Sequence, residues 1–470
     1  METMNAQEIV EATGGRLLSM AGELRLGRLL IKGVSTDSRS ISPGEVFFAL
    51  RGPRFDGHEF VEQALRKGGA AAVVSGEWWH SHTPGKEFPA PLITVPDSLT
   101  ALQDLAKYYR RKFTVTLVAI TGTNGKTTTK DMVAAVLSAR FRTMKTEGNF
   151  NNHIGVPLTL LRLSLGDQMA VVEMGMSGPG EIRRSAEIAL PQLGLITNIG
   201  PAHLQQLRSV ERIAKAKIEL LEMLPSEGRA FLNADDKRLM DQRVIPPSRV
   251  VTFGLGQGAD YRAIRSGTPD GVRTDFEVSG LGHFQIPTLG RHNVYNALAA
   301  IAVGRVVGLS AGLIQEALKG FSPSPMRMKR TEIEGVVILN DAYNANPSSM
   351  RAALEVLSSL KAEGRRIAIL GDMLELGPEG PQFHRELGQF VAKSGVQWLV
   401  TVGGLAEDIA RGALQEGFLP DQIARFIDAS QAAEWLKYLL RPGDLVLLKG
   451  SRGVHLEDIL SDLSLWSQKG

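Results

Sequence analysis

Along most of this 470-residue chain, short apolar runs alternate with longer stretches whose apolar positions recur every three or four residues. Residues 115–120, 169–173 and 193–197 are such runs, and the order strand, helix, strand predicts a parallel sheet. A proline-rich stretch, Phe321-Ser-Pro-Ser-Pro-Met326, interrupts the alternation and reads as a linker. The pattern then restarts, with strand-like runs at 336–339, 366–370, 398–402 and 445–448. Before residue 113 the runs are shorter (45–50, 70–75, 92–95) and mix with helical patterns at 59–67 and 99–111. The expectation is an α/β protein of three domains. A small N-terminal α/β domain spans 1–112, a central doubly wound parallel sheet spans 113–325, and a C-terminal Rossmann-like α/β domain spans 326–470. The longest apolar stretch, 294–309, is broken by Tyr295, Asn296 and Arg305 and predicts a helix packed in a core rather than a membrane span.

Composition narrows the field. Fifty-three Lys and Arg against 50 Asp and Glu give a net charge of +3 without long runs of one sign, so neither a nucleic-acid partner nor a membrane anchor is expected. The chain has no cysteine, which excludes disulfides, a thiolate nucleophile and Cys-ligated metals. Residues 1–15 carry Glu2, Glu8 and Glu11 and lack an apolar core, so no secretory signal is read there and a cytoplasmic protein is expected. Glycine is in excess, 50 of 470 residues, about 11% where ~7% is usual. That suits tight turns and loops facing phosphate.

The chemistry begins at Thr121-Gly-Thr-Asn-Gly-Lys-Thr-Thr128. An apolar strand ends at Thr121, and a helix with apolar positions Val133, Val136, Leu137 and Phe141 follows. Between them, Gly122, Thr123, Asn124 and Gly125 allow backbone N–H groups to approach phosphate oxygens at a helix N-terminus. Lys126 can neutralise phosphate, and the hydroxyl of Thr127, beside Thr128, can hold Mg²⁺. The loop is shorter than the ordinary Walker A pattern, which would need glycine at Ile120. Glu173 closes the next apolar strand at the edge where α/β sheets bind ligands, and is a candidate magnesium ligand. His203 follows the third strand in the corresponding place.

These three strand ends resemble the Mur ligases, ATP-dependent amide ligases of peptidoglycan synthesis. Further segments match along the whole chain: Gly148-Asn-Phe-Asn-Asn-His-Ile-Gly-Val-Pro157, Gly290-Arg-His-Asn-Val-Tyr-Asn296, Asp341-Ala-Tyr-Asn-Ala-Asn-Pro347, Gly371-Asp-Met-Leu-Glu-Leu-Gly377 and Lys449-Gly-Ser-Arg452. The resemblance implies that ATP converts a carboxylate to an acyl phosphate, which an amine then attacks. The pattern fits the member that joins D-alanyl-D-alanine to a UDP-N-acetylmuramoyl tripeptide, acting as a monomer. The Asp-Asn-Pro-Arg motif of the preceding, diaminopimelate-adding member is absent. Two Mg²⁺ ions are implied. Thr127 and Glu173 would hold one, and His203 with a carbamylated lysine the other. Counting fourteen residues from His203 selects Lys217, in an Ala-Lys context, over Lys215. The resemblance also implies that Asn293 contacts adenine and that Arg327, Asp341 and Asn344 reach the nucleotide from the C-terminal domain. Asn149, Asn151 and Asn152 would face the peptide substrate. Thr36-Asp-Ser-Arg39 and Arg51-Gly-Pro-Arg-Phe-Asp-Gly-His58 would form the uridine-nucleotide pocket, with Ser38 and Arg39 on the diphosphate.

Two other functions compete, besides a catalytically dead wall-binding paralogue, which the presence of Lys126, Thr127 and Glu173 disfavours. Folylpolyglutamate synthase would carry Gly-Lys-Gly-Ser where this chain has Gly-Lys-Thr-Thr. A P-loop switch would need Asn-Lys-x-Asp and Asp-x-x-Gly, and neither occurs. Gly254-Leu-Gly-Gln-Gly-Ala259 fits a loose dinucleotide pattern, but no helix is predicted after it. Gly175-Met-Ser-Gly-Pro179 misses the hydrolase elbow by its last residue. The Trp78-Trp79 pair reads as local packing.

Overall fold

The computed structural model describes residues 1–18, 28–53, 55–82, 87–202 and 204–467. His203 and Arg54 lie outside the described residues. Among the described residues three α/β domains follow one another, each built on its own sheet.

Buried parallel strands need apolar residues on both faces, because helices cover both sides. The strand Thr116–Thr121 meets that demand, with Leu117 to Ile120 wholly buried. It lies between Met169–Glu173 and Leu193–Ile196, both parallel to it and both later in sequence. A strand flanked this way marks a switch point, where an open α/β sheet leaves a crevice at its carboxyl edge. Parallel strands Arg229–Asn233 and Val250–Gly254 continue the sheet. Tyr261–Gly267, Thr274–Val278 and Gly282–Ile286 then extend it as an antiparallel meander, so the central sheet is mixed rather than purely parallel.

The helix Lys126–Ser138 is buried nearly all round, and Phe141 lies beyond its end. The helix Arg291–Val306 packs against it. An added Cβ on Gly304 would stand 2.6 Å from Val136 Cγ1, so glycine sets how closely the two helices approach. This double burial accounts for the long apolar stretch of the sequence. Among the described residues no helix is long and apolar enough to cross a membrane.

The N-terminal sheet has the order Arg16–Leu18, Leu92–Val95, Ala71–Ser75, Glu45–Phe48, Gly33–Ser35. The C-terminal sheet centres on Leu445–Lys449, between the parallel strands Val336–Asn340 and Arg366–Gly371. Its edge strand Lys329–Ile333 was not expected from the sequence. It pairs antiparallel with Val336–Asn340, and its polar, half-exposed side chains carry no apolar run.

A buried guanidinium helps secure the first domain boundary, beside Tyr109, whose hydroxyl donates to Leu163 O (2.6 Å). Arg110, only 3% exposed, closes the helix Ser98–Arg110. It donates to the carbonyls of Ala189 (2.9 Å), Phe113 (2.8 Å) and Val115 (2.9 Å). Ala189 ends the helix Glu181–Ala189, so a cation there also suits the helix dipole. Removing one partner of buried hydrogen bonds strands the others. Arg110→Ala is therefore expected to lower stability by about 3 kcal/mol or more, checked by denaturant unfolding.

Candidate active site

The phosphate loop is held open by its neighbour strand. Thr123 N donates to Asn198 O (2.9 Å), Asn124 N to Asn198 Oδ1 (3.0 Å), and Thr197 Oγ1 to Asn124 O (2.6 Å). Gly122 and Gly125 sit at φ +147° and +79°. A Cβ on Gly122 would lie 1.9 Å from Thr197 Oγ1, and one on Gly125 2.4 Å from Asn296 Oδ1. Both positions need glycine for conformation and for room. The helix Lys126–Ser138 starts at once, with Gly125 as N-cap and no side-chain cap, which leaves its first N–H groups facing the crevice.

Lys126 Nζ donates to the carbonyls of Gly122 (3.0 Å) and Thr123 (3.2 Å). Burial pulls its pKa below the usual lysine value; Glu173 opposes this and Arg327 adds to it. Glu173, 1% exposed, accepts from Thr127 Oγ1 (3.1 Å) and Asn151 Nδ2 (2.7 Å) through Oε1. Its Oε2 is buried and has no hydrogen-bond partner. A hard cation is the natural complement of such an oxygen beside a threonine hydroxyl. Lys217 is 2% exposed on the helix Val210–Glu222 and lines the same cavity, whereas Lys215 points to solvent. Burial, then the charge of Lys126, pushes the Lys217 pKa well below the usual value.

The C-terminal domain reaches into this arrangement. Arg327 Nη2 donates to Thr127 Oγ1 (2.8 Å), and its guanidinium stacks 4.0 Å from the centre of the Tyr343 ring. Met326 and Met328, on either side, adopt left-handed φ of 57° and 54°, which turns Arg327 outward from the linker. Asn346 Nδ2 donates to Asn124 Oδ1 (2.7 Å) while its Oδ1 caps the helix Pro347–Ser359. Asp341 accepts from Met328 N (3.0 Å) and from the buried Lys449 ammonium (2.5 Å). Lys449 also donates to Asn344 O (3.1 Å).

The result is a cavity of about 580 Å³ between the central and C-terminal domains. Thr123 to Thr128, Asn149, Asn151, Asn152, Glu173, Lys217, Asn293, Arg327, Asp341 and Asn344 all line it. A second cavity of about 590 Å³ opens on Lys126 and Thr127 from the side of Ser451 and Arg452. Ser38 and Arg39 line neither cavity. Ser38 donates to Gln63 Oε1 (3.0 Å), and the exposed Arg39 forks onto Asp37 (2.8–3.2 Å). Asn152 Oδ1 accepts from the N–H groups of Ile154 and Gly155, so it also shapes the start of a helix. Asn293 is not a helix cap. It donates to Thr288 Oγ1 (3.1 Å) and Leu289 O (2.7 Å) and accepts from Asn296.

Three side chains that the sequence marks only as members of matching segments, with no role of their own, join the site. Asn296 bonds Thr129 Oγ1 and Asn293 together (3.0 and 2.9 Å), and its spacing of three from Asn293 on one helix is a readable signal. Asn346 and Lys449 bond partners 222 and 108 residues away, a pairing that no local pattern shows.

Three family models match the chain: Mur ligase family, catalytic domain (residues 30–110), Mur ligase middle domain (120–304), and Mur ligase, glutamate ligase domain (326–452). The UDP-N-acetylmuramoyl-tripeptide–D-alanyl-D-alanine ligase of Bacillus subtilis is 40% identical over 92% of this chain and 93% of its own. The Escherichia coli enzyme of that name is 34% identical over 94% and 96%. The solved structure of MurF from Acinetobacter baumannii is 31% identical, covers 99% of both chains and superposes with a TM-score of 0.87. MurF from Thermotoga maritima in complex with ADP covers 94% of this chain and 99% of its own, at a TM-score of 0.81 and 29% identity.

If Arg327 and Asn346 hold the two domains together, Arg327→Ala should shift the chain toward an open form. Loss of a charge-assisted hydrogen bond corresponds to roughly a tenfold change in that equilibrium or more. Small-angle scattering should then give a larger radius of gyration than for the unmodified protein.

Proposed function

The chain belongs to the Mur ligase family, and on that premise we propose a division of labour among the residues of the cavity. The protein is an ATP-using ligase that adds D-alanyl-D-alanine to a UDP-N-acetylmuramoyl tripeptide in the synthesis of peptidoglycan precursors. The observation that carries the residue roles is the buried carboxylate of Glu173, with one oxygen bonded and one unpartnered, beside the phosphate-loop hydroxyl of Thr127.

A carboxylate is a poor electrophile, so the terminal carboxylate of the tripeptide must first become an acyl phosphate. Its oxygen attacks the γ-phosphorus of ATP, and ADP leaves. The dipeptide amine then attacks the acyl carbon, loses a proton, and inorganic phosphate departs as the amide forms. Such transfers depend on positioning and charge neutralisation. Backbone N–H groups from Gly122 to Gly125, with Lys126, Thr127 and Thr128, would cradle the β- and γ-phosphates. Arg327 would exchange its bond to Thr127 for a γ-phosphate oxygen, and Asn293, Asp341 and Asn344 would hold the nucleoside. Asn149, Asn151 and Asn152 would align the tripeptide carboxylate beside Glu173. The second cavity would take the dipeptide, whose carboxylate would compete with Glu457 for the Arg452 guanidinium, now paired at 2.8 Å.

Thr127 and Glu173 would hold one Mg²⁺, and His203 with a carbamylated Lys217 a second. Bound there, magnesium would offset the charge on the phosphoryl oxygens. A free ammonium would repel such a cation, whereas the lowered pKa of Lys217 favours the neutral amine that combines with CO₂. Ser38 and Arg39 would meet the uridine diphosphate on the N-terminal domain. The domain limits 1–112, 113–325 and 326–470 assign uridine-nucleotide binding, ATP binding and ligation in that order. The enzyme would act as a monomer in the cytoplasm, where ATP and UDP-linked precursors are at hand.

Phosphate release should require ATP, Mg²⁺, D-alanyl-D-alanine and a UDP-muramoyl tripeptide together. Lys126→Ala should lose most of that turnover while its melting curve stays close to the unmodified one. Equal turnover with a folate and free glutamate would overturn the assignment. Lys217→Ala should be nearly inactive and regain part of its rate when acetate is supplied, while Lys215→Ala keeps normal activity. A Lys217→Ala enzyme of ordinary rate would remove the carbamate from the scheme.

A further inference from the structure

One turn past the phosphate loop, two buried charges serve no step described above. Lys130 and Asp131 are 2% and 6% exposed on the helix Lys126–Ser138. Burying an ammonium and a carboxylate costs several kcal/mol per ion before their attraction repays it, and apolar side chains would stabilise the helix at least as well. Apart from their contact with each other, what the two side chains touch lies outside the helix.

Lys130 Nζ donates to the carbonyls of Thr146 (2.9 Å) and Gly148 (3.4 Å), the residues that lead into Asn149. The Thr146 hydroxyl in turn accepts from Glu173 N (3.0 Å), and Asn151 returns to Glu173 through its side chain. Asp131 reaches both ways. Its Oδ2 accepts from Ser324 Oγ (2.6 Å) in the interdomain linker, three residues before Arg327. Its Oδ1 meets Lys145 (2.5 Å) and Lys130 (3.4 Å). Burial works against ionisation of Asp131, but Lys130, Lys145 and Ser324 outweigh it and hold the pKa below the usual carboxylate value.

We propose that Lys130 and Asp131 are positioning residues. Lys130 fixes the asparagine loop that meets the peptide substrate, and Asp131 fixes the linker that presents Arg327. Adjacent residues on one turn thereby tie the acceptor side and the interdomain side of the cavity to the phosphate-loop helix. The inference rests on the ligase reading for its substrates, though not for its geometry.

Two variants of the full chain test it with ATP, D-alanyl-D-alanine and the UDP-muramoyl tripeptide. Lys130→Met keeps the stem and removes the ammonium. It should raise the KM for the tripeptide about tenfold or more and leave the KM for ATP within about twofold. Ser324→Ala disturbs no core and should lower kcat about threefold or more with the tripeptide KM unchanged. Lys130→Met with unmoved KM values, or with all three raised together, would make the pair merely structural. Should Lys130→Met fail to fold, Ser324→Ala decides alone, and wild-type kinetics there would overturn the proposal.

Amide hydrogen exchange reads the same geometry without any substrate. Faster exchange confined to residues 146–152 in Lys130→Met, and to 322–328 in Ser324→Ala, supports the proposal; uniform acceleration or none overturns it. If the unmodified enzyme fails to turn over these substrates, the ligase reading is at fault, and hydrogen exchange still decides on the pair.

Discussion

A carboxylate taken out of water must be met by donors or cations, and the way Glu173 is met organises the central domain. Thr127 approaches from the phosphate-loop helix and Asn151 from the loop after the strand Thr143–Lys145. Lys126 is close enough for its ionisation to respond to the carboxylate. The sheet order makes this meeting possible, because Thr116–Thr121 and Met169–Glu173 are paired in register and end at the same edge. Moving Glu173 by one residue would turn its side chain to the opposite face of the sheet.

Several polar side chains around the cavity do two jobs. Asn346 caps a helix and bonds Asn124 across the domain boundary. Asn152 shapes a helix start and faces the cavity. Thr123 both donates to Gly200 O and accepts from Gly200 N, which fastens the loop to the strand end beside it. Such sharing leaves few free polar groups to desolvate and ties local folding to the assembly of the site. It also means that alanine substitutions here report on two functions at once, which is why conservative variants and separate KM and kcat values carry more information.

The buried strands were legible because each must be apolar on both faces; Leu117 to Ile120 and Val171 with Val172 are wholly buried. The edge strand Lys329–Ile333 was not, since a half-exposed edge needs no such run. Within the site, Lys126, Thr127, Glu173 and Lys217 converge on one cavity. Asn346 and Lys449 lie in segments that the sequence marks, but their bonds to Asn124 and Asp341 were not legible, because those partners stand 222 and 108 residues away. Ser38 and Arg39 remain apart from the cavity, on the N-terminal domain where the sequence put them.

The two left-handed methionines around Arg327 have a mechanical consequence. A residue with a Cβ gives up about 1–2 kcal/mol in that conformation, so the pair together holds roughly 2–4 kcal/mol. The charged hydrogen bond that Arg327 makes to Thr127 returns about 1.5–3 kcal/mol, much the same amount. Within the linker, strain and bond nearly cancel. The grip of the C-terminal domain on the central one therefore falls to contacts outside the linker, such as Asn346 on Asn124 and Gln205 N on Glu375 O.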